Sequence, residues 1–319
     1  MDNIMNILNY GAVGDGVTDC TKAIQTALDD ASTCMGTVIV PPGKYMVGKL
    51  KMHGQGVSIS GTAAWSYRSD GASVFVLNDE NSDSMIDITG AFGCAIRGMC
   101  LNGNHLGKNI HGIKLYWDEY NGGNGLFIDG WDGFVLDNWF SFNNGFGIKG
   151  GNVVASITAT GNRVEWNQSG GFQFLFGDSY NFTGNFFDRS HGPAIELGGD
   201  KTVSLVTITG NIFRRSGAYI GKMPPKDRCC HVLLNKCTDM TVMGNTMRVG
   251  RNDGGGGVLS PEIGMIIKKC DSCIIKDNTM MNGAMKKLFI EENNESCIIR
   301  DNLGSLAVDD WSSGSELLN

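Results

Sequence analysis

The chain has 319 residues, with 26 Lys and Arg against 33 Asp and Glu, a net charge of −7 and a pI near 5.2. An acidic balance leaves no electrostatic footprint for nucleic acid or an anionic membrane surface, and no apolar run reaches the roughly 18 residues needed to span a bilayer. The 46 glycines against 6 prolines fit many tight corners in a folded chain rather than disorder.

The first residues, Met1-Asp2-Asn3-Ile4-Met5, hold no basic region followed by an apolar core. No signal peptide is therefore expected, which places the chain in the cytoplasm or on a phage particle, or outside the cell where a precursor supplies the signal. Residues 7–19 lead into a short helix, with Asp19 or Thr18 as its cap and Ala23, Ile24, Ala27 and Leu28 as its apolar face. Residues 36–45 read as a strand running into the Pro41-Pro42-Gly43 turn. The glycines at 11, 14 and 16 do not make a phosphate loop, because no Gly-Lys-Ser/Thr ending follows.

Residues 57–61 and 94–98 alternate as short strands. Two excursions carry aromatics: residues 63–71, with Trp65 and Tyr67, and residues 116–133, with Trp117, Asp118 and Trp131. Rings offer a face for sugar C–H groups and acids take hydroxyls, so Trp117 and Asp118 are candidate substrate-binding residues. The alternative is that the rings only pack the loop on the body.

From residue 138 onward one phrase returns: Asn138, Asn162, Asn185, Asn211, Asn245, Asn278 and Asn302, each after Gly or Asp, in steps of 24, 23, 26, 34, 33 and 24 residues. A fixed period of this size marks stacked repeats. An alternating apolar run leads into each corner and a second follows about ten residues later, a strand pattern rich in Val, Ile, Thr and Phe. Strands this short bury an apolar face only by stacking coil on coil, which predicts an all-β fold, a right-handed parallel β-helix with an N-terminal capping helix. Each Asn is expected to take the left-handed backbone at its corner and to hydrogen-bond its neighbours one coil away. One domain spans 1–319: coil and cap over 1–50, stacked coils with insertions at 217–231 and 250–263 over 51–306, and a tail over 307–319 that is frayed or folded over the last coil. The ten cysteines include Cys270 and Cys273 at a CxxC spacing, but no second pair follows, so they read as buried thiols in a reducing compartment rather than a zinc site.

Residues 9–28, NYGAVGDGVTDCTKAIQTAL, followed by 36–45, GTVIVPPGKY, closely resemble the N-terminal coil and cap of the pectate-lyase-like β-helix superfamily. Its members include polysaccharide lyases, glycoside hydrolases, inulin fructotransferases, mannuronan epimerases and phage tailspikes. The resemblance implies the fold, and a carbohydrate as partner, but no single activity, because the motif belongs to the cap. It also implies a homotrimer, since many relatives of this architecture are trimeric.

Equivalent residues on neighbouring coils lie about 4.8 Å apart. Counting three past each corner Asn aligns Ser141, Glu165, Asp188, Arg214 and Arg248, and the next position adds Trp166, Arg189 and Arg215. The middle of the second strand aligns Lys114, Lys149, Gln173 and Glu196 and then turns apolar at Leu233, Ile266 and Phe289, a column that the tail or a neighbouring subunit should cover. The expected site is the polar part: Glu196, Asp188 and Glu165 as catalytic carboxylates, with Lys149, Arg189, His191, Gln173, Trp166 and Arg214 on substrate. Glycoside cleavage needs a proton donor and a second carboxylate, which this set supplies. The alternative is a solvated ladder of ion pairs.

The leading expectation is a glycosidic-bond-cleaving enzyme, a hydrolase or an intramolecular fructosyl-transferring relative, with no cofactor. A uronate lyase or epimerase would instead use Lys149, Lys114 or Arg189 as base, with calcium possible, although no Asp triad for calcium is seen. Polygalacturonase-like Gly-His-Gly and epimerase-like Asp-Pro-His elements are absent. A non-catalytic glycan-binding β-helix is the third reading.

Overall fold

The computed structural model describes residues 3–62, 71–91, 93–106, 110–115, 123–217, 228–248, 260–261, 263–281, 286–290, 294–303, 306–308 and 316–318. It is a right-handed parallel β-helix. Three walls make a coil. In one coil they are Ala155–Thr160, Arg163–Glu165 and Gly170–Phe174; in the next they are Gly177–Thr183, Phe186–Asp188 and the start of Ile195–Thr209. We call them leading, middle and trailing. The sequence shows two strands per coil; the third is the middle wall, three residues directly after the corner Asn. The leading and trailing walls join as one sheet, because Ile195–Thr209 and Cys230–Met243 run unbroken round the corner between them, while the middle wall stands apart as a ten-stranded sheet.

The inward residues stack as the coils do. Phe187 lies 5.1 Å from Phe213 with rings nearly parallel, and Phe172 meets Phe187 edge-on at 4.9 Å. Each such pair adds about 0.5–1.5 kcal/mol beyond its buried area.

The corner asparagines form the expected ladder. The backbone N–H of Asn162 donates to Asn185 Oδ1 at 3.0 Å, and the same bond links each step from Asn138 to Asn302. The Asn162 amide also donates to the carbonyl of Val135 at 2.8 Å. The left-handed backbone falls one residue earlier than expected, on Gly161, Gly184, Gly210 and Gly244 (φ 64–69°) and on Asp137, Asp277 and Asp301. Glycine has no Cβ to strain there, and the Asn that follows stays free to aim its amide along the axis. A second ladder, absent from the sequence reading, runs five residues on: Asn143 N–H to Asn167 Oδ1 at 3.2 Å, Asn167 Nδ2 to Ser190 Oγ at 3.5 Å, Ser190 N–H to Ser216 Oγ at 3.3 Å.

Helix α1 (Thr21–Ser32) covers the N-terminal end and buries Ile24, Ala27, Leu28 and Ala31, with Ala23 half-buried. Its N-cap is Cys20, without a side-chain bond. Asp19, one residue earlier, supplies the acceptor, taking the Thr21 N–H at 2.9 Å. Trp131 and Asp132, expected in a loop, begin the strand Trp131–Leu136. The tail adds strands rather than a lid: Leu306–Val308 pairs with residues 288–290 and Glu316–Leu318 with Ile298–Arg300. Cys237, Cys270, Cys273 and Cys297 are buried in the core as thiols.

The outward column of the trailing wall runs Lys114, Phe127, Lys149, Gln173, Glu196, Leu233 and Ile266, with Phe289 at the next register position. Phe127 therefore separates Lys114 from Lys149, because the trailing wall alone gains an extra strand, Leu126–Ile128, while the leading and middle walls pair 95–97 with 134–136 and Cys100 with Trp139 directly. Leu233 and Ile266 point away from the main core yet are only 5% and 1% exposed, clustered with Cys230. The chain thus covers Leu233 and Ile266 by itself.

Candidate functional site

Glu165 and Asp188 face outward from the middle wall because Val164 and Phe187 between their neighbours point into the core. Register pairing sets Ser141, Glu165 and Asp188 on successive coils. Burying a carboxylate without a counter-charge is unfavourable, and each acid here has one. Glu165, 4% exposed, takes the Arg163 guanidinium on Oε1 at 2.7 Å and the Trp139 indole N–H on Oε2 at 3.1 Å. Asp188, 1% exposed, is gripped by the Arg215 fork: Nε donates to Oδ1 at 2.7 Å and the terminal nitrogen to Oδ2. Arg189 adds a third bond to Oδ2 at 2.7 Å. Among the described residues Arg214 forms no ion pair with Asp188. Arg215, one residue later and itself buried, does so instead.

The corner beyond this wall holds residues with left-handed backbone: Phe142 (φ 60°), Trp166 (57°), Arg189 (53°) and Arg215 (31°). Phe142 stacks on Trp166 with centroids 5.8 Å apart, and the Arg189 guanidinium lies 4.9 Å over the Trp166 ring. Burial holds the Arg189 pKa below its ordinary value; the Asp188 charge opposes that shift and the Arg215 charge adds to it.

Glu196 stands round the corner on the trailing wall, next to Gln173 and with Lys149 one coil further back. Its Oε2 accepts from Gln173 Nε2 at 2.9 Å and from Arg228 at 2.7 Å. Oε1 carries no hydrogen bond from the described residues. Lys149 is half-buried and pairs with no carboxylate among them, whereas Lys114 is tied to Asp83 at 2.7 Å. His191 lies on the turn between Asp188 and Glu196, its N–H on the Asn167 carbonyl at 2.9 Å. Trp117 and Asp118 lie outside the described residues.

The structure thus sets Glu165 beside Asp188 on one wall and Glu196 with Gln173 on the next, each acid held by its own arginine. The sequence reading lacked Arg163, Trp139 and Arg228, and it aligned Arg215 with Arg189 without giving it a role at Asp188. Arg163 and Trp139 share a column two residues before Glu165 and its counterpart, a signal that was there to be counted. Arg228 sits in an insertion and left none. No three His, Cys, Asp or Glu side chains among the described residues are placed to hold a metal ion. The donor set does not fit calcium, since arginines already neutralise these carboxylates.

Residues 4–186, more than half of the chain, match the family model described as Rhamnogalacturonase A/epimerase, pectate lyase-like. The chain belongs to this family. Residues 155–319 also match a right-handed β-helix region. The family is one of carbohydrate-active β-helices. Among curated relatives, a mannuronan C5-epimerase of Azotobacter vinelandii is 51% identical over 43 residues, 13% of this chain and 5% of its own length. A polygalacturonase of Cryptomeria japonica is 43% identical over 54 residues, 16% of this chain and 10% of its own length. The chain thus matches only a small part of these relatives. Tailspike protein 2 of bacteriophage CBA120 superposes with a TM-score of 0.61 at 13% identity, over 100% of this chain and 46% of that one. The DFA-IIIase of Arthrobacter chlorophenolicus superposes at 0.58 with 12% identity, over 99% and 87%. At these identities the likeness is one of fold.

Proposed function

We propose that this member of the pectate lyase-like family cleaves a glycosidic bond in an oligo- or polysaccharide, with Glu196 as the carboxylate that exchanges the proton. The observation that carries the reading is the asymmetry of Glu196. Two donors pin Oε2 of the largely buried side chain, while Oε1 takes no hydrogen bond from the described residues. A carboxyl group that must give and take a proton needs one fixed oxygen for aim and one free oxygen for the substrate. Lys149 and Gln173, in line on the same wall, are placed to take sugar hydroxyls. Glu165 is the second carboxylate: each of its oxygens has a single donor, so lone pairs remain for a water or a sugar carbon. Asp188 is closed by Arg215 and Arg189 and acts as a positioning residue that holds the corner.

A lyase or epimerase reading is favoured by one observation, the Arg189 guanidinium held 4.9 Å over the Trp166 ring and against Asp188 at the corner, where it could meet a uronate carboxylate.

The two are separated by incubating the protein with neutral and uronic-acid glycans, with and without EDTA, while following released oligosaccharides and the ultraviolet absorbance of an unsaturated uronate. Product without new absorbance, lost in Glu196→Gln, supports hydrolysis or transfer. New absorbance that survives Glu196→Gln but not Arg189→Gln would replace this reading with the lyase.

A further inference from the structure

One coil before Glu165, the middle wall carries a recess that the proposed chemistry does not use. A cleft of about 430 Å³ opens between residues 103–106 and residues 139–144, within the volume range of small-molecule sites. Trp139 and Phe142, the latter 51% exposed, contribute aromatic rings to its lining. Asn102, His105, Ser141 and Asn144 supply the polar part.

These polar groups are largely unspent. Asn102 Oδ1 accepts the Asn104 N–H at 2.9 Å, which shapes the turn and leaves the Asn102 amide nitrogen unengaged among the described residues. The Asn144 and His105 side chains are exposed and make no hydrogen bond there, and the Ser141 hydroxyl is buried without one. Buried polar atoms are ordinarily satisfied, so an orphaned hydroxyl in a cleft wall marks a place where a ligand group fits. Amides and hydroxyls both donate and accept, as sugar hydroxyls do.

The charge pattern selects among sugars. Among the described residues no Asp, Glu, Lys or Arg lines this cleft. On the other side of Trp139, a second recess of about 560 Å³ is lined by Arg97, Arg163 and Asp137. A uronate carboxylate in the first cleft would be desolvated with no Lys or Arg among the described lining residues to meet it, which is unfavourable; an uncharged sugar meets no such penalty.

We infer that this cleft binds a neutral sugar unit of a glycan chain, at a site separate from Glu196. Binding here does not depend on cleavage, so it stands or falls independently of the activity proposed above. The test is calorimetric titration of Glu196→Gln protein, which keeps oligosaccharides intact, with cello-, malto-, manno- and xylohexaose and with hexagalacturonate and hexamannuronate. At least one neutral hexaose is expected to bind. Phe142→Ala should weaken it tenfold or more. Asn144→Ala and His105→Ala, surface changes that leave the Phe142–Trp166 stack alone, should each weaken it severalfold, while Arg97→Ala in the second recess should not. Three results would overturn the inference: no neutral hexaose binding at millimolar concentration, binding that all three cleft variants leave unchanged, or hexauronate binding tighter than any neutral chain and abolished by the same variants.

Discussion

Arg228 reaches Glu196 across 32 residues of sequence and donates to Oε2 at 2.7 Å, beside the Gln173 amide at 2.9 Å. An insertion between two coils thus supplies the residue that orients an acid on the wall below it. Positioned proton transfer contributes about 10²–10⁴-fold to rate, so Glu196→Gln should lower turnover by about a thousandfold. Arg228→Gln, which frees the carboxylate without removing it, should lower kcat by a smaller factor and shift its pH profile. Initial rates on an accepted glycan check both. A Glu196→Gln enzyme with near-normal rates would remove Glu196 from the chemistry.

Asp188 and Arg215 are both buried, and removing one leaves the other as an uncompensated charge. Asp188→Asn should destabilise the fold by about 3–5 kcal/mol. The double change Asp188→Leu with Arg215→Met removes both charges and should cost distinctly less. Urea unfolding of the two variants decides the point, since a catalytic role alone predicts no such difference.

His231 is fully buried, with Nε2 donating to the Arg248 carbonyl at 2.7 Å and Nδ1 without a partner. Burial pushes its pKa down to about 4 from an ordinary value of 6.5. The unfolded chain therefore binds this proton first as pH falls. The stability from keeping His231 neutral is fully present above about pH 6.5 and is lost as pH falls toward 4, by about 3 kcal/mol over that window. In His231→Gln this part of the acid sensitivity should vanish. Unfolding free energies at pH 7 and pH 4, wild type against variant, measure it directly.

Asn211 accepts from Asn185 twice, through its N–H at 2.9 Å and its amide at 3.0 Å, and donates to Phe182 O and Asn245 Oδ1. Asn211→Ala orphans several buried groups at once, each worth about 1–3 kcal/mol. The same change at Asn302, which is only half-buried, should be far milder. Equal losses at the two positions in denaturant unfolding would contradict a ladder whose strength comes from burial.

The coil walls were legible wherever alternation ran long enough to show its period. Ala155–Thr160 and Gly170–Phe174 carry five or six residues of it, and the Asn corners mark the repeat. The middle wall was not legible as a strand, because Arg163–Glu165 and Phe186–Asp188 are three residues long and three residues show no period. Counting offsets from each Asn still aligned Glu165 with Asp188 correctly. It failed at Arg214 and Arg215, because the left-handed residue at the corner re-aims the side chain, and backbone sign is not written in a column count. Lys114 was placed next to Lys149 because the strand Leu126–Ile128 enters the trailing wall alone, with no corner of its own to announce it. The Asn143–Asn167–Ser190–Ser216 ladder had the same spacing as the first and went unread, since serine closing an asparagine ladder hides the pattern.

The corner ladder also makes length along the axis a discrete variable. Every corner presents the same donor and acceptor to the next, so Asn138 would donate to Asn185 as readily as it donates to Asn162. Excising residues 162–184 would close the ladder with the register intact, remove Glu165, Trp166 and Gln173 together, and draw Glu196 about 4.8 Å nearer to Trp139. Duplicating the same segment would move them apart by one equal step. The spacing between the proposed bond-breaking wall and the proposed sugar-holding cleft is thus set by a whole number of coils, a ruler graduated in units close to the rise of a single sugar residue.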